Sequence, residues 1–210
     1  MSSVELELRP FLPGTTGWTD TDLDDPAIEL MWFEGRYEIV EGVLTNMPPA
    51  FFIGGEALFN LMRRVDTFAR SIGLKPRFAP EVDIVVSVWR VARADAAMLM
   101  PAESKRQDAA ARKAGKTDVR RSRIYVPPTL IIESISPGHE DHDLETKRRW
   151  YAEFGVPHYW ILDAFSRELL CLRLDGNQYV EDARGCRQDT VCSSMFPGLS
   201  IPLPEIWSEE

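Results

Sequence analysis

Two side chains stand where their neighbours make them costly. Glu133 lies within Leu130-Ile131-Ile132-Glu133-Ser134-Ile135, a run apolar enough to be a strand buried on both faces. An ionised carboxylate there is expensive unless it is paired or bound to a metal. Lys147 is the second. Leu144, Lys147, Tyr151 and Phe154 recur at steps of three, four and three, the inward stripe of a helix predicted over 144–154, whereas Arg148 and Arg149 fall outside it. A lysine on that stripe needs an acidic partner or must snorkel past its neighbours, and Glu133 from the preceding strand would satisfy both residues. The plain reading is a structural Lys–Glu pair. The chemical reading is a buried acid that holds a hard cation such as Mg²⁺. Asp95, at the start of the short apolar run Ala94 to Met100, is by itself a turn or strand-cap aspartate. Beside Glu133 it becomes a second oxygen donor.

The elements that must position these groups follow from pattern. Residues 1–20 carry Pro10, Pro13, Gly14 and Gly17 without periodicity and read as an N-terminal arm. A short helix is expected within Asp22 to Phe33, with Pro26 near its first turn. Tyr37 to Met47 reads as two strands flanking a Glu41-Gly42 turn. Leu58, Leu61, Met62, Val65, Phe68, Ala69 and Ile72 place one apolar stripe on a helix over 55–72, stopped by Gly73. Strands are expected over 77–86, 94–100, 130–135, 158–163, 168–174 and 178–181. A Pro-punctuated tail from Phe196 to Trp207 should lie on the body. Residues 21–207 then form one domain with a basic insertion at about 101–123.

Composition narrows the function classes. The chain has 210 residues, 24 Lys+Arg against 33 Asp+Glu, and a formal charge of −9, which argues against a polycationic mode of nucleic-acid binding. No run approaches the roughly 20 apolar residues of a membrane span. The first ten residues lack a basic segment followed by an apolar one, so no signal peptide is expected. Cys171, Cys186 and Cys192 are three, with no close pair, and suggest reduced thiols in the cytoplasm rather than a disulfide framework or zinc ribbon.

Two segments run against the average. From Ser104 to Arg123 there are eight basic residues, Lys105, Arg106, Arg112, Lys113, Lys116, Arg120, Arg121 and Arg123, against Asp108 and Asp118 alone. The segment is either a solvated loop or exposed helix, or an arm that approaches phosphates. It has no interleaved aromatics for base stacking. His139-Glu140-Asp141-His142-Asp143 has the residue types of a Zn²⁺ or Mn²⁺ site. The alternative is a polar loop that caps the following helix, with Asp143 near the N-cap.

Taken in order, Tyr37-Glu38-Ile39-Val40-Glu41-Gly42, a helix, Ala94-Asp95 opening a strand, Pro128 to Pro137 with Glu133 inside it, Lys147, Tyr151-Ala152 and Gly155-Val156-Pro157-His158-Tyr159-Trp160-Ile161-Leu162-Asp163 resemble the bacterial family of putative restriction endonucleases, a branch of the PD-(D/E)xK nuclease superfamily long classed as a domain of unknown function. The resemblance runs from Phe33 to Leu203, and the 133–163 block is its most specific part. Ala94 stands where the family has proline, and His158 where it has an acid. The resemblance implies an α/β (α+β) restriction-endonuclease-like core, a mixed β-sheet flanked by helices, preceded by the arm and the hairpin. It implies a metal site at Asp95 and Glu133. It also implies that the superfamily's lysine has moved to Lys147, since Ile135 occupies its usual place, and that Glu38, at the family's acidic position in the first hairpin, is a fourth candidate site residue.

The expected activity is Mg²⁺- or Mn²⁺-dependent endonucleolytic hydrolysis of DNA phosphodiesters. Asp95, Glu133 and the backbone carbonyl of Ser134 would hold the metal, and Lys147 would orient water or stabilise transition-state charge. Two other readings stand beside it. The acidic net charge and the altered loops favour a nuclease fold without catalysis, serving as a binding or regulatory module. The third reading is a metal-dependent hydrolase of another phosphodiester. The Pro-rich arm and the exposed-looking Trp18 and Trp32 would dress a homodimer interface; the alternative is an arm folded back on its own domain.

Overall fold

The computed structural model describes residues 9–47, 51–135 and 142–207. In chain order the elements are α1 (Pro26–Glu34), β1 (Tyr37–Val40), β2 (Val43–Asn46), α2 (Phe52–Ser71), β3 (Arg77–Ser87), β4 (Arg90–Leu99), α3 (Pro101–Lys113), β5 (Leu130–Ser134), α4 (Arg148–Phe154), β6 (His158–Asp163), β7 (Glu168–Asp175), β8 (Gln178–Cys186), β9 (Thr190–Val191) and β10 (Ile201–Pro202). A π-helical turn, His142–Lys147, leads into α4 and accounts for the first half of the helix predicted there. Helix α2 keeps the predicted stripe, with Ala57, Leu61, Val65 and Ala69 buried, and Gly73 closes it at φ 81°.

β1 to β8 make one mixed sheet. The β5–β6 pair is parallel, and the short loop-linked pairs β1–β2, β3–β4, β6–β7 and β7–β8 are antiparallel hairpins. Helices cover both faces, as burial of a central strand as apolar as β5 requires. On one face α2 and the tail pack with Met98, Leu130, Ile132, Trp160 and Leu162, while on the other Trp150, Tyr151 and Ala152 of α4 pack with Leu99, Ile131, Tyr159 and Ile161. A third core gathers Trp18, Leu23, Trp32, Ile39 and Leu44 beneath the first hairpin.

That third core bears on the arm and on its two tryptophans. The described part of the arm folds back onto the domain: Gly14 N–H donates to Leu44 O, Leu44 N–H to Thr15 O and Trp18 N–H to Gly42 O. Trp18 and Trp32 are each 1% exposed and dress no interface. Each indole N–H also has an internal partner, Thr15 Oγ1 and Asp83 Oδ2 respectively, both at 2.7 Å. Trp18 stands among Thr15, Thr16, Thr19 and Asp20, so local pattern hid its place in a core assembled from distant segments.

Four of the eight basic residues of the insertion find acidic partners within the protein. Pro101 at the helix start and the Ala109-Ala110-Ala111 run suit α3. Arg106 reaches Glu103, Arg120 reaches Asp118, and Lys116 and Arg123 converge on Asp24. Burial works against ionisation of Asp24, but hydrogen bonds from Lys116 and Arg123 outweigh it and lower its pKa. Part of the positive charge of this segment is thus met by acids of the same chain.

His158 opens β6 half-buried, and its Nδ1 has no hydrogen-bond partner among the described residues. Burial lowers its pKa from 6.5, opposed by Asp182 and reinforced by Arg173. In the window below 6.5 the unfolded chain therefore binds a proton that the folded chain resists, and stability falls as pH falls. Carboxylates with lowered values, such as Asp24 and Asp182, act only below their ordinary 3.8. Thermal melts should show a lower midpoint at pH 5.5 than at pH 7.5, with a shallower difference in His158→Gln.

A candidate active site in a split sheet edge

β3 runs along β4 from Ser87↔Arg90 to Arg77↔Leu99 and takes one of its edges entirely. β1 and β5 must therefore share the other edge. β1 pairs at Val91 and β5 pairs from Ala96 to Met98, so the edge between them is left to side chains. Buried backbone groups there need partners, and the acids and the lysine singled out in the sequence supply them. Arg93 N–H donates to Glu38 Oε1 at 2.8 Å, Lys147 Nζ donates to Arg93 O at 3.2 Å, and Asp95 N–H donates to Glu133 Oε2 at 3.2 Å.

The strands also kink here. Ala92 and Ala94 lie in the core on the α4 side, and so do Ala97 and Leu99, so the alternation along β4 slips by one residue across Asp95. On β3, Phe78 lies on the α2 side and Val82 on the α4 side, and between them Glu81 takes a left-handed φ of 42°. Such a conformation is strained for glutamate. The shared kink keeps the β3–β4 register while leaving Asp95 part-exposed in an otherwise buried stretch.

Glu38, Asp95, Glu133 and Lys147, drawn from β1, β4, β5 and the turn before α4, thus meet. Lys147 Nζ lies 3.1 Å from Glu38 Oε1 and 3.3 Å from Glu133 Oε1, and all three side chains are 1% exposed or less. With the Arg93 carbonyl, these acceptors match the three N–H groups of the ammonium. Tyr151, one turn beyond Lys147, donates to Glu133 Oε1 at 2.8 Å. Burial, then the nearby Glu133, Tyr159 and Glu38, hold its phenol well above its ordinary value, so it stays a donor. Asp95 Oδ2 accepts from Ser134 N–H at 2.8 Å, and Asp95 Oδ1 lies 3.8 Å from Arg36 Nη2. Each metal-candidate carboxylate is therefore oriented by a main-chain N–H beside the other.

Asp95, Glu133, Ser134 and Lys147 line a cavity of about 180 Å³, with Arg36, Glu81 and Gly54 also in its wall. The phenyl rings of Phe51 and Phe165, in edge contact at 5.5 Å, stand at its mouth. Gly54 lets the start of α2 approach β5, because a Cβ there would sit 2.7 Å from Ser134 Oγ. The larger cleft of about 710 Å³ beside it, lined by Asp24, Glu29 and the 115–123 segment, meets this cavity at Glu81.

Sequence reasoning placed Tyr151 on the inward stripe but gave it no role; its hydroxyl one helical turn from Lys147 was the available signal. Arg36 carried no signal at all. The His139/His142 pair lies outside the described side chains. Among the described residues no group of three or more His, Cys, Asp or Glu is arranged to hold a metal. Among the described residues, too, no helix is long and apolar enough to cross a membrane.

Comparison with known proteins agrees with this architecture. The Uma2 family, described as "Putative restriction endonuclease", matches residues 31–204. The solved structure of a putative nuclease belonging to DUF820, from Anabaena variabilis, superposes with a TM-score of 0.61 at 12% identity, covering 82% of this chain and 90% of that one. At that identity the likeness concerns the fold. No curated protein matches.

Proposed function

The chain belongs to the putative restriction endonuclease family, and from that premise we propose that it is a metal-dependent phosphodiesterase acting on DNA inside the cell. The observation that carries this reading is the convergence of Asp95 and Glu133 on one cavity, each fixed by a backbone N–H beside the other.

The donor set suits Mg²⁺ or Mn²⁺. The groups are hard oxygens, and Mg²⁺ is commonly held by one or two carboxylates while it keeps several waters. A cavity of about 180 Å³ has room for those waters. Glu38, Glu81, Asp95 and Glu133 outnumber the cations Arg36 and Lys147, so negative charge remains for a divalent ion to balance. Asp95 and Glu133 would hold the ion, with the Ser134 carbonyl as a further oxygen. When bound, it polarises a phosphodiester oxygen and lowers the pKa of a coordinated water.

The chain's own groups do the rest by orientation. Tyr151 and Lys147 both engage Oε1 of Glu133, so the carboxylate cannot rotate. Glu38 neutralises Lys147 from its other side. The cavity is smaller than the roughly 300–1,000 Å³ of a site that encloses a whole small molecule. A phosphate group fits it, and the remainder of the substrate lies outside, as a polymer would.

Calorimetric titration of Mn²⁺ and Mg²⁺, with and without a short duplex, tests the reading. Wild-type protein should bind, and Glu133→Gln, whose shape is conserved, should not. Absence of binding by the wild type even with duplex would overturn the nuclease reading and leave Lys147–Glu133 as a structural ion pair.

A further inference from the structure

We propose that Arg36 is the group that grips the substrate phosphate, held ready by Glu81; this rests on the nuclease reading and deepens it.

The site needs a cation for a phosphate, and Lys147 is committed. Its ammonium is 1% exposed and has Glu38, Glu133 and the Arg93 carbonyl as acceptors. Arg36 differs on each count. It lines the same cavity, its side chain is 28% exposed, and its guanidinium has donors to spare. Nη1 donates to Glu81 at 3.0 Å. Nη2 is 3.8 Å from Asp95 Oδ1, beyond hydrogen-bond reach, and the buried Nε has no partner among the described residues. At a cavity wall, a planar fork whose Nη2 makes no hydrogen bond among the described residues and whose Nη1 can exchange Glu81 for another anion suits bidentate capture of phosphate oxygens, which a lysine cannot reproduce.

Glu81 explains how the guanidinium is kept there. Its carboxylate is 61% exposed, so the pair is weak and readily exchanged. Its backbone sits at the β3–β4 kink opposite Asp95. Glu81 borders both the cavity and the adjoining cleft, where an incoming phosphate would compete with it for Arg36.

The test uses the full chain, a fluorescein-labelled duplex or single strand, and anisotropy in EDTA, across a salt series. Arg36→Ala and Arg36→Lys should each bind about tenfold or more weakly than wild type. In Arg36→Ala the slope of log affinity against log salt should shrink by about 0.9 with duplex, or about 0.7 with single strand. Glu81→Gln should bind at least as tightly as wild type. Thermal melts establish that each variant is folded, with Arg36→Lys as the gentler change. Unchanged affinity and slope in folded Arg36→Ala, with Mn²⁺ binding intact, would overturn the role of Arg36 and leave the nuclease reading standing. A wild type that binds neither oligonucleotide in EDTA or Mn²⁺ would overturn both, while loss of metal binding alone bears on the nuclease reading and not on the phosphate contact.

Discussion

Asp95→Asn is expected to lose more than about 100-fold of metal-dependent cleavage, beyond the 10–100-fold usual for an outer-shell partner, while the fold survives. Asp95 accepts the Ser134 N–H through Oδ2, and an asparagine oxygen can accept the same bond. Its other oxygen, Oδ1, lies 3.8 Å from Arg36 Nη2, and the residue lines the cavity. The substitution therefore removes the charge that would bind a cation and leaves the bond that orders the strand. A timed plasmid-nicking assay in Mn²⁺, run beside a thermal melt, checks both halves. Cleavage within a few-fold of wild type would show that Asp95 is not a metal ligand. A collapse of the melting temperature would show instead that the carboxylate is structural.

Lys147→Met is expected to have the largest effect on stability. Glu38 and Glu133 are 0% and 1% exposed and share the one ammonium at 3.1 and 3.3 Å. Its removal takes from two buried carboxylates the ammonium that they share. Breaking a buried pair in this one-sided way typically costs about 3–5 kcal/mol. That is a large part of the roughly 5–15 kcal/mol of a whole domain, and corresponds to a fall of roughly 6–20 °C in melting temperature for a chain of this size. Adding Glu38→Gln should recover part of the loss, because one charge disappears and a glutamine oxygen can still accept the Arg93 N–H. Equal and additive losses in the two single variants and the double variant would mean that the three groups are not coupled in the way their distances indicate.

The family relation and most of the fold were legible because burial leaves periodic marks along a chain. The stripe of α2 reflects one helix face against the sheet. The apolar run of β5 reflects burial on both faces, with Ile131 in the α4-side core and Leu130 and Ile132 in the α2-side core. A charged residue that interrupts such a pattern is visible for the same reason, which is how Glu133 and Lys147 stood out before their distance was known. Glu38 and Asp95 interrupt no long pattern: Asp95 gains interest only as a second oxygen donor beside Glu133, and Glu38 only through the family resemblance.

What the linear order determined by itself was the identity and rotation of the elements: which face of a helix or strand is apolar, where each turn falls, and which charges are stranded on a buried face. Those depend on residues a few positions apart, which share one backbone geometry. The tertiary structure alone decided that β1 and β5 share one edge of β4, opening the gap that the site fills. It decided that the basic insertion turns on Asp24 and Asp118, and that Arg36 meets a glutamate 45 residues away at the cavity wall. Such pairings are set by strand order and by the kink at Glu81, and the energy that selects them is summed over contacts between distant segments. No local period records that sum.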